Sequence, residues 1–190
     1  LFLAERPAHA AGSVVAAGTP QEGSARAILV EVQALVGVSG PAAGRRVATG
    51  LVSARFSMVL AVLERKVGLT LAGADVFANV AGGLAIEEPA LDLPLAIAVA
   101  SAARNRPCAR DIVAFGEIGL ASEVRGVARA AARLSEASSM GFSRAIVPAS
   151  TASRVRDDSA SGAAQGAGKS AVELLAVRTV EEAIELALAD

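Results

Sequence analysis

Glu87 and Glu88 stand side by side in GGLAIEEPALD, and paired carboxylates can bind a metal ion or share a proton. No histidine lies nearby. His9 is the only histidine and Cys108 the only cysteine, so neither an internal disulfide nor a structural zinc cluster can be assembled, and no metal site is expected. The acid pair therefore reads as a solvated loop near a subunit boundary, and Glu117 and Glu123 as structural or interfacial acids. A nucleophile needs a base beside it. Ser101 with Lys66 offers the right residue types, yet Ser101 falls about two and a half turns into an apolar helix, away from any groove with oxyanion donors. Lys66 falls on the polar side of another helix. GAAQGAGKS imitates a phosphate-binding loop, but counting back from Gly168, Lys169 and Ser170 puts Ala163 where the first glycine is needed, and Gly162 comes one position early. A polar loop, not a strand, precedes it.

The elements that would position these groups are centred on residues 75–120. DVFANVAGG reads as a strand ending in Gly82 and Gly83, where positive φ or close backbone approach is permitted. Asp92 is placed to cap a helix whose Leu93, Leu95, Ala96, Ile97, Val99 and Ala100 are apolar nearly all round, the pattern of a buried helix. Asp111 to Leu120 is a second strand run. Upstream, residues 26–36 alternate as a strand, with Leu29, Glu31 and Gln33 in one direction and Val30, Val32 and Ala34 in the other. The turn SGPAAG leads to RRVATGLV, so residues 26–52 are expected to form a hairpin, followed by an amphipathic helix over 54–67. Downstream come a short strand EVRGV, a helix over 128–140 closed by Gly141, the strand RAIVP, and the strand LLAVRTV. A last helix opens on a capping box of Thr179 and Glu182. Residues 1–23 lack periodicity and read as a connector, and residues 151–170 read as a mobile loop by composition.

The chain has 190 residues with 53% hydrophobic residues and no Trp or Tyr. One α/β domain is expected. No run approaches the ~20 apolar residues of a membrane span, and no charged segment followed by an apolar one opens the chain, so no membrane partner and a cytoplasmic location are expected. The formal charge of -1 is unevenly spread. Residues 26–133 carry 12 basic against 9 acidic side chains, and residues 134–190 carry 5 against 8.

The order strand, Gly-Gly, loop, E-P-A, buried helix, GEIGLASEVRGV and GFSRAIVP resembles the proteolytic domain of the Lon proteases. It is more closely similar to the degenerate Lon-like domain at the C-terminus of the RadA (Sms) family of bacterial DNA repair proteins. The resemblance covers residues 26–150 well, and LFLAERP with GSVV extends it to the start. It implies a Lon proteolytic-domain-like fold (ribosomal protein S5 domain 2-like), a mixed sheet packed with helices. It also implies that 1–23 connects to a preceding RecA-like ATPase domain and that 24–190 is the Lon-like domain. Lon enzymes use a Ser-Lys dyad. Aligning the motifs puts Ala90 at the nucleophile's place and Ala131 at the base's place, and a methyl group can do neither task. Arg133 cannot substitute, because a guanidinium stays protonated at any working pH.

The resemblance thus implies a non-catalytic domain of a DNA repair and recombination ATPase that promotes branch migration, serving as ring-assembly scaffold and DNA-contacting surface. No cofactor is expected in this chain; ATP, magnesium and zinc are expected in the preceding domains. The implied partners are single-stranded and duplex DNA, further copies in a hexameric ring, and recombinase and replication proteins. Arg26, Arg45, Arg46, Arg55 and Arg125 stand near element ends and are the candidate DNA contacts, through phosphate. The alternative readings are a Ser-Lys peptidase using the displaced Ser101 and Lys66, and an unrelated ligand-binding domain of the same fold.

Overall fold

In a computed structural model, the structure describes residues 10–20, 26–38, 40, 44–160 and 172–188, with the backbone alone at 158–160. His9, Lys169 and the glycine-rich GAAQGAGKS lie outside the described residues. Seven strands form one mixed sheet, and its middle is a strand of small residues. This is β1 (Ser13–Gly18), every residue of which is buried. β1 pairs antiparallel with β2 (Ile28–Val36), Val15 opposite Glu31, and parallel with β5 (Ile112–Ala114), Val15 opposite Val113. Residues 13–18 are therefore not irregular connector. A strand buried on both faces has no reason to alternate in polarity, and Ser, Ala and Gly give little strand signal of their own.

β2 continues to β4 (Val76–Val80) antiparallel, with Gln33 opposite Asn79, and β4 continues to β3 (Arg46–Thr49) parallel, with Arg46 opposite Val76. This corrects the expected hairpin over 26–52, since β4 is inserted between its two arms. A parallel pair needs a crossover, and α1 (Ser53–Val62) with a wider turn at Leu63–Val67 supplies it between β3 and β4. On the other side, β5 pairs parallel with β8 (Arg144–Pro148), and β8 with β9 (Glu173–Val177). The expected strand over 111–120 divides at Phe115 and Gly116. Its second part, β6 (Glu117–Ile118), pairs instead with β7 (Val124–Arg125) as a small separate ribbon.

α2 (Asp92–Arg104) runs across β1, β2 and β4, and its residues 92–101 are all buried. α1 and α5 (Val180–Leu188) flank it. α3 (Ala130–Ser139) and α4 (Ala149–Ala160) pack together and against β1, β2, β8 and β9. The molecule is thus a mixed α/β sheet packed with helices. α4 overturns the loop reading over 151–160. Its composition is weakly helical, and the burial of Thr151 and Ala152 against the sheet fixes it there.

Two helix starts differ in detail from expectation. Asp92 does not cap α2; it is the helix's first residue, 3% exposed, and its carboxylate is engaged elsewhere. Thr179 Oγ1 accepts from the Glu182 amide at 3.3 Å, but Glu182 Oε2 accepts in return from the Arg178 amide at 2.7 Å, one residue earlier than in a standard capping box. Gly82 and Gly83 do use positive φ, 87° and 69°.

Candidate functional site

A groove of about 710 Å³ opens where four segments meet. Thr19 and Pro20 follow β1, residues 85–90 lead into α2, Glu117 comes from β6, and residues 126–129 join β7 to α3. Its loop walls are fixed by backbone bonds: the Gly116 amide donates to Ala90 O at 2.9 Å, and the Leu93 amide to Gly116 O at 3.1 Å. Ala90, the nucleophile's place under the resemblance, lines the groove and is 1% exposed. Ala131 lies on the exposed side of α3's first turn, and the side chain that enters the groove from that helix is Arg133.

Arg133 and Glu88 form the most buried ion pair among the described residues. Arg133 Nη1 donates to Glu88 Oε1 at 2.8 Å and to Ala17 O at 2.6 Å, Nη2 donates to Glu88 Oε2 at 2.7 Å, and Nε donates to Ala128 O at 3.0 Å. Glu88 also accepts from the Thr19 amide at 2.5 Å and from Thr19 Oγ1 at 2.9 Å. The guanidinium carbon stands 5.8 Å from the centre of the Phe115 ring. Arg133 is 1% exposed. Burial works to raise the Glu88 carboxyl, but the Arg133 fork and charge together with the two Thr19 donors outweigh it and hold the group below its ordinary range. The reading of Glu88 as a solvated loop acid is thereby corrected, whereas Glu87 is exposed at the groove wall. The sequence signal for the pair was Arg133 itself. It lies on the same helical face as Ala130, Leu134 and Ala137, and an arginine on an apolar face needs a buried acceptor.

A second buried acid stands behind the groove. Asp92 accepts from Arg55 Nε at 2.8 Å on Oδ1, is bound again on Oδ2 by Arg55 Nη2, and accepts from the Ile118 amide at 3.2 Å. Burial is the largest influence and pushes this carboxyl above its ordinary value despite Arg55. Arg55 Nη2 also lies 3.8 Å from Glu117. The displaced pair Ser101 and Lys66 is not assembled. Ser101 is fully buried, accepts from the Gly12 amide at 2.8 Å and donates to Arg106 O, while Lys66 is exposed beyond α1.

The five arginines expected at DNA stand in different local surroundings. Arg26 is exposed just ahead of β2. Arg45 is bound by Asp75 Oδ2 at 3.1 and 2.6 Å and lies 5.3 Å from the centre of the Phe77 ring. Arg46 donates to Ala74 O at 3.1 Å and Leu71 O at 2.8 Å, with Glu64 at 3.6 Å. Arg55 holds Asp92, and Arg125 pairs with Glu123. Arg45, Arg46, Arg55 and Arg125 are thus each engaged by local acceptors. Among the described residues no group of three or more His, Cys, Asp and Glu is placed to hold a metal ion, and no helix is long and apolar enough to cross a membrane.

Comparison with known proteins adds two findings. The chain is 40% identical over 188 residues to a protein of Halalkalibacterium halodurans named DNA repair protein RadA, covering 99% of this chain and 38% of that protein. It is 52% identical over 124 residues to DNA repair protein RadA of Escherichia coli, covering 65% of this chain and 27% of that one, and 52% identical over 123 residues to the protein of the same name from Haemophilus influenzae, with the same shares. The chain spans well under half the length of these relatives. A family described as subunit ChlI of Mg-chelatase matches residues 48–151, from β3 through the groove loops, α2 and α3 to the first turn of α4. With more than half its length matched, the chain belongs to this ChlI family.

Proposed function

We propose that this chain is a non-catalytic, Lon-like domain of a RadA-type DNA repair protein, serving as assembly scaffold and DNA-contacting surface in a ring ATPase that drives branch migration. The observation that carries the reading is the match along nearly the whole chain to a protein named DNA repair protein RadA. The groove supports its non-catalytic part: Ala90 occupies the nucleophile's place, and the charged side chain beside it is an arginine already bound to Glu88. On this reading ATP, magnesium and zinc belong to other parts of the parent protein, and recombinase and replication proteins are its further partners.

DNA contact through Arg26, Arg45, Arg46, Arg55 and Arg125 is part of the proposal. It is tested by measuring duplex and single-strand binding of the full-length protein with Arg26, Arg45, Arg46 and Arg125 changed to Ala, at two salt concentrations. Arg55 is left in place because its loss would strip Asp92 of its partner. Phosphate neutralisation by these side chains predicts weaker binding to every sequence and a salt slope on duplex shallower by roughly 0.9 for each phosphate no longer neutralised. An unchanged affinity with an unchanged slope would remove DNA contact from this surface.

Restoring the dyad is not expected to restore proteolysis. Ala90→Ser with Ala131→Lys returns a hydroxyl and an amine, but Ala131 is exposed, and a solvated lysine keeps too high a pKa to act as base at neutral pH. The double variant should cleave a chromogenic peptide no faster than the native chain; measurable turnover would show that the groove still assembles an active dyad.

Assembly is tested by sedimentation. The full-length protein with nucleotide and DNA is expected to run as a hexamer, and this chain alone to associate weakly. A full-length protein that stays monomeric under those conditions would end the scaffold reading.

A further inference from the structure

We propose that the open face of the sheet over β2, β3 and β4 binds a partner polypeptide segment with an arginine or lysine two positions from an apolar residue, the basic head group meeting Glu31 and the apolar side chain covering Leu35, Phe77 and Val47. One charge there is uncompensated. Glu31 is 3% exposed, and its carboxylate accepts from Ser13 Oγ at 2.6 Å. A carboxylate offers about four acceptor sites, and a buried one is ordinarily matched by a cation. Asp92, equally buried, has Arg55. Among the described residues no arginine or lysine pairs with Glu31.

A cavity of about 420 Å³ opens onto Glu31. α2 covers one face of β1, β2 and β4, and the register sets the side chains of the other face in rows. Glu31 and Ser13 line one end of the cavity. Gln33 and Asn79 come next, with Asn79 Nδ2 donating to Gln33 Oε1 at 3.4 Å, and Leu35, Phe77 and Val47 form the last row. Leu35 is 63% exposed, and Val47 is exposed beside it. Polarity thus falls from acid through amides to hydrocarbon along four residues of β2, roughly 13 Å. Side chains two apart in an extended segment lie roughly 7 Å apart on one face, and the methylene stem of a basic residue reaching towards Glu31 covers the remainder. The charged groups at the apolar end, Arg45 and Asp75, hold each other at 2.6 Å, so they leave Glu31 as the charge that calls for a cation. An exposed apolar row continuous with a buried acid is therefore complementary to a basic and apolar segment, and not to the phosphates of DNA.

The site uses none of the arginines of the proposed DNA surface as a contact, so the two ideas can fail separately. The test is an NMR titration of this chain with the blocked peptide acetyl-Leu-Gly-Arg-Gly-Leu-amide, which presents the spacing in both chain directions, against the same peptide with neutral citrulline for arginine. The arginine peptide should shift the amides of residues 13, 31, 33, 35, 77 and 79 and bind at least tenfold more tightly than the citrulline peptide. Binding should weaken at least tenfold in Glu31→Gln, which still offers Ser13 an acceptor, and in Leu35→Lys, which sets a like charge on the apolar row. Leu35 is exposed, so its variant keeps the fold and the test stands even if Glu31→Gln does not. Putrescine is the third ligand: a diamine that shifts these amides at lower concentration than the peptide would replace the polypeptide by a small amine and overturn the proposal. Equal binding of the citrulline peptide, no shifts at these residues, or variants that bind as tightly as the native chain would overturn it as well.

Discussion

Arg133→Met is expected to destabilise the fold by about 3 kcal/mol, at the lower end of the ~3–5 kcal/mol typical of breaking a buried ion pair from one side. The lower end applies because Glu88 keeps 21% of its side chain exposed and can take up water or a proton once its partner is gone. Glu88→Gln strands the charge on the more deeply buried partner, Arg133, which retains its bonds to Ala17 O and Ala128 O, and should cost a similar amount. Changing both residues, Arg133→Met with Glu88→Leu, should cost far less than the sum, since neither charge is then left alone. Denaturant unfolding of the three variants reads this directly. A loss below about 1 kcal/mol for Arg133→Met would mean that the pair behaves like a solvated one. The sign with pH follows from Glu88. Its carboxyl is held below the ordinary 4.5, so the stability it contributes is complete above that value and is lost as pH falls through the lower, folded value. Glu88→Gln should therefore flatten part of the native chain's stability loss below about pH 4.5. Asp92 contributes in the opposite sense: burial raises its value, so the stability tied to its protonated form is lost as pH rises through that raised value.

What the sequence made legible depends on how many faces of an element meet water. β2 shows its two directions because the register pairs Val32 with Val80 and Ala34 with Ala78 on the α2 side, and Gln33 with Asn79 on the other. α1, α2, α3 and α5 are legible from their apolar spacing, and β8 and β9 from their apolar runs. β1 was not, because burial on both faces removes the alternation and small residues fill the space. The placing of β4 between β2 and β3 was not either, because strand order is decided by the crossover through α1 and not by the strands' own residues. At the site, the place of Ala90 in the groove wall was legible from the loop that leads into α2. The pairing of Glu88 with Arg133 spans 45 positions, so the apolar face round Arg133 signals a buried acceptor but not which residue supplies it.

Arg55 shows how the same limit affects function. Its place at the start of α1 suggests an outward-reaching side chain, yet both ends of its fork are spent on an acid that is 3% exposed. Loss of DNA binding in an Arg55→Ala protein would therefore mix two causes, a missing phosphate contact and a loosened start of α2. Arg26, Arg45, Arg46 and Arg125 separate the causes better, because the carboxylates that hold the last three are exposed or half-buried and compete weakly with phosphate.

Gly12→Ala is expected to cost roughly 3 kcal/mol or more, from ~1–2 for a left-handed non-glycine residue and ~1–3 for the steric overlap. Gly12 has φ 85°, and an added Cβ would stand 2.2 Å from Ala34 O and 3.2 Å from Ala102 Cβ. Neither the backbone carbonyl nor the helix methyl is the far end of a flexible side chain, so strand and helix must move apart. The movement also breaks a junction. The Gly12 amide donates to Ser101 Oγ at 2.8 Å, the Ser101 hydroxyl donates to Arg106 O, and the Ala34 amide donates to Gly12 O at 2.7 Å. Ser101 thus joins the entry to β1 to the end of α2, and Gly12 ties that junction to β2, which is a structural task and explains a serine inside an apolar helix. Ser101→Ala should cost about 1–3 kcal/mol by orphaning a buried amide and a carbonyl, less than Gly12→Ala, and the pair should be less than additive because both act at one junction. Thermal unfolding of the two single variants and the double variant checks the order. If Ser101→Ala were as stable as the native chain, the buried hydroxyl would not be the tie between α2 and β1.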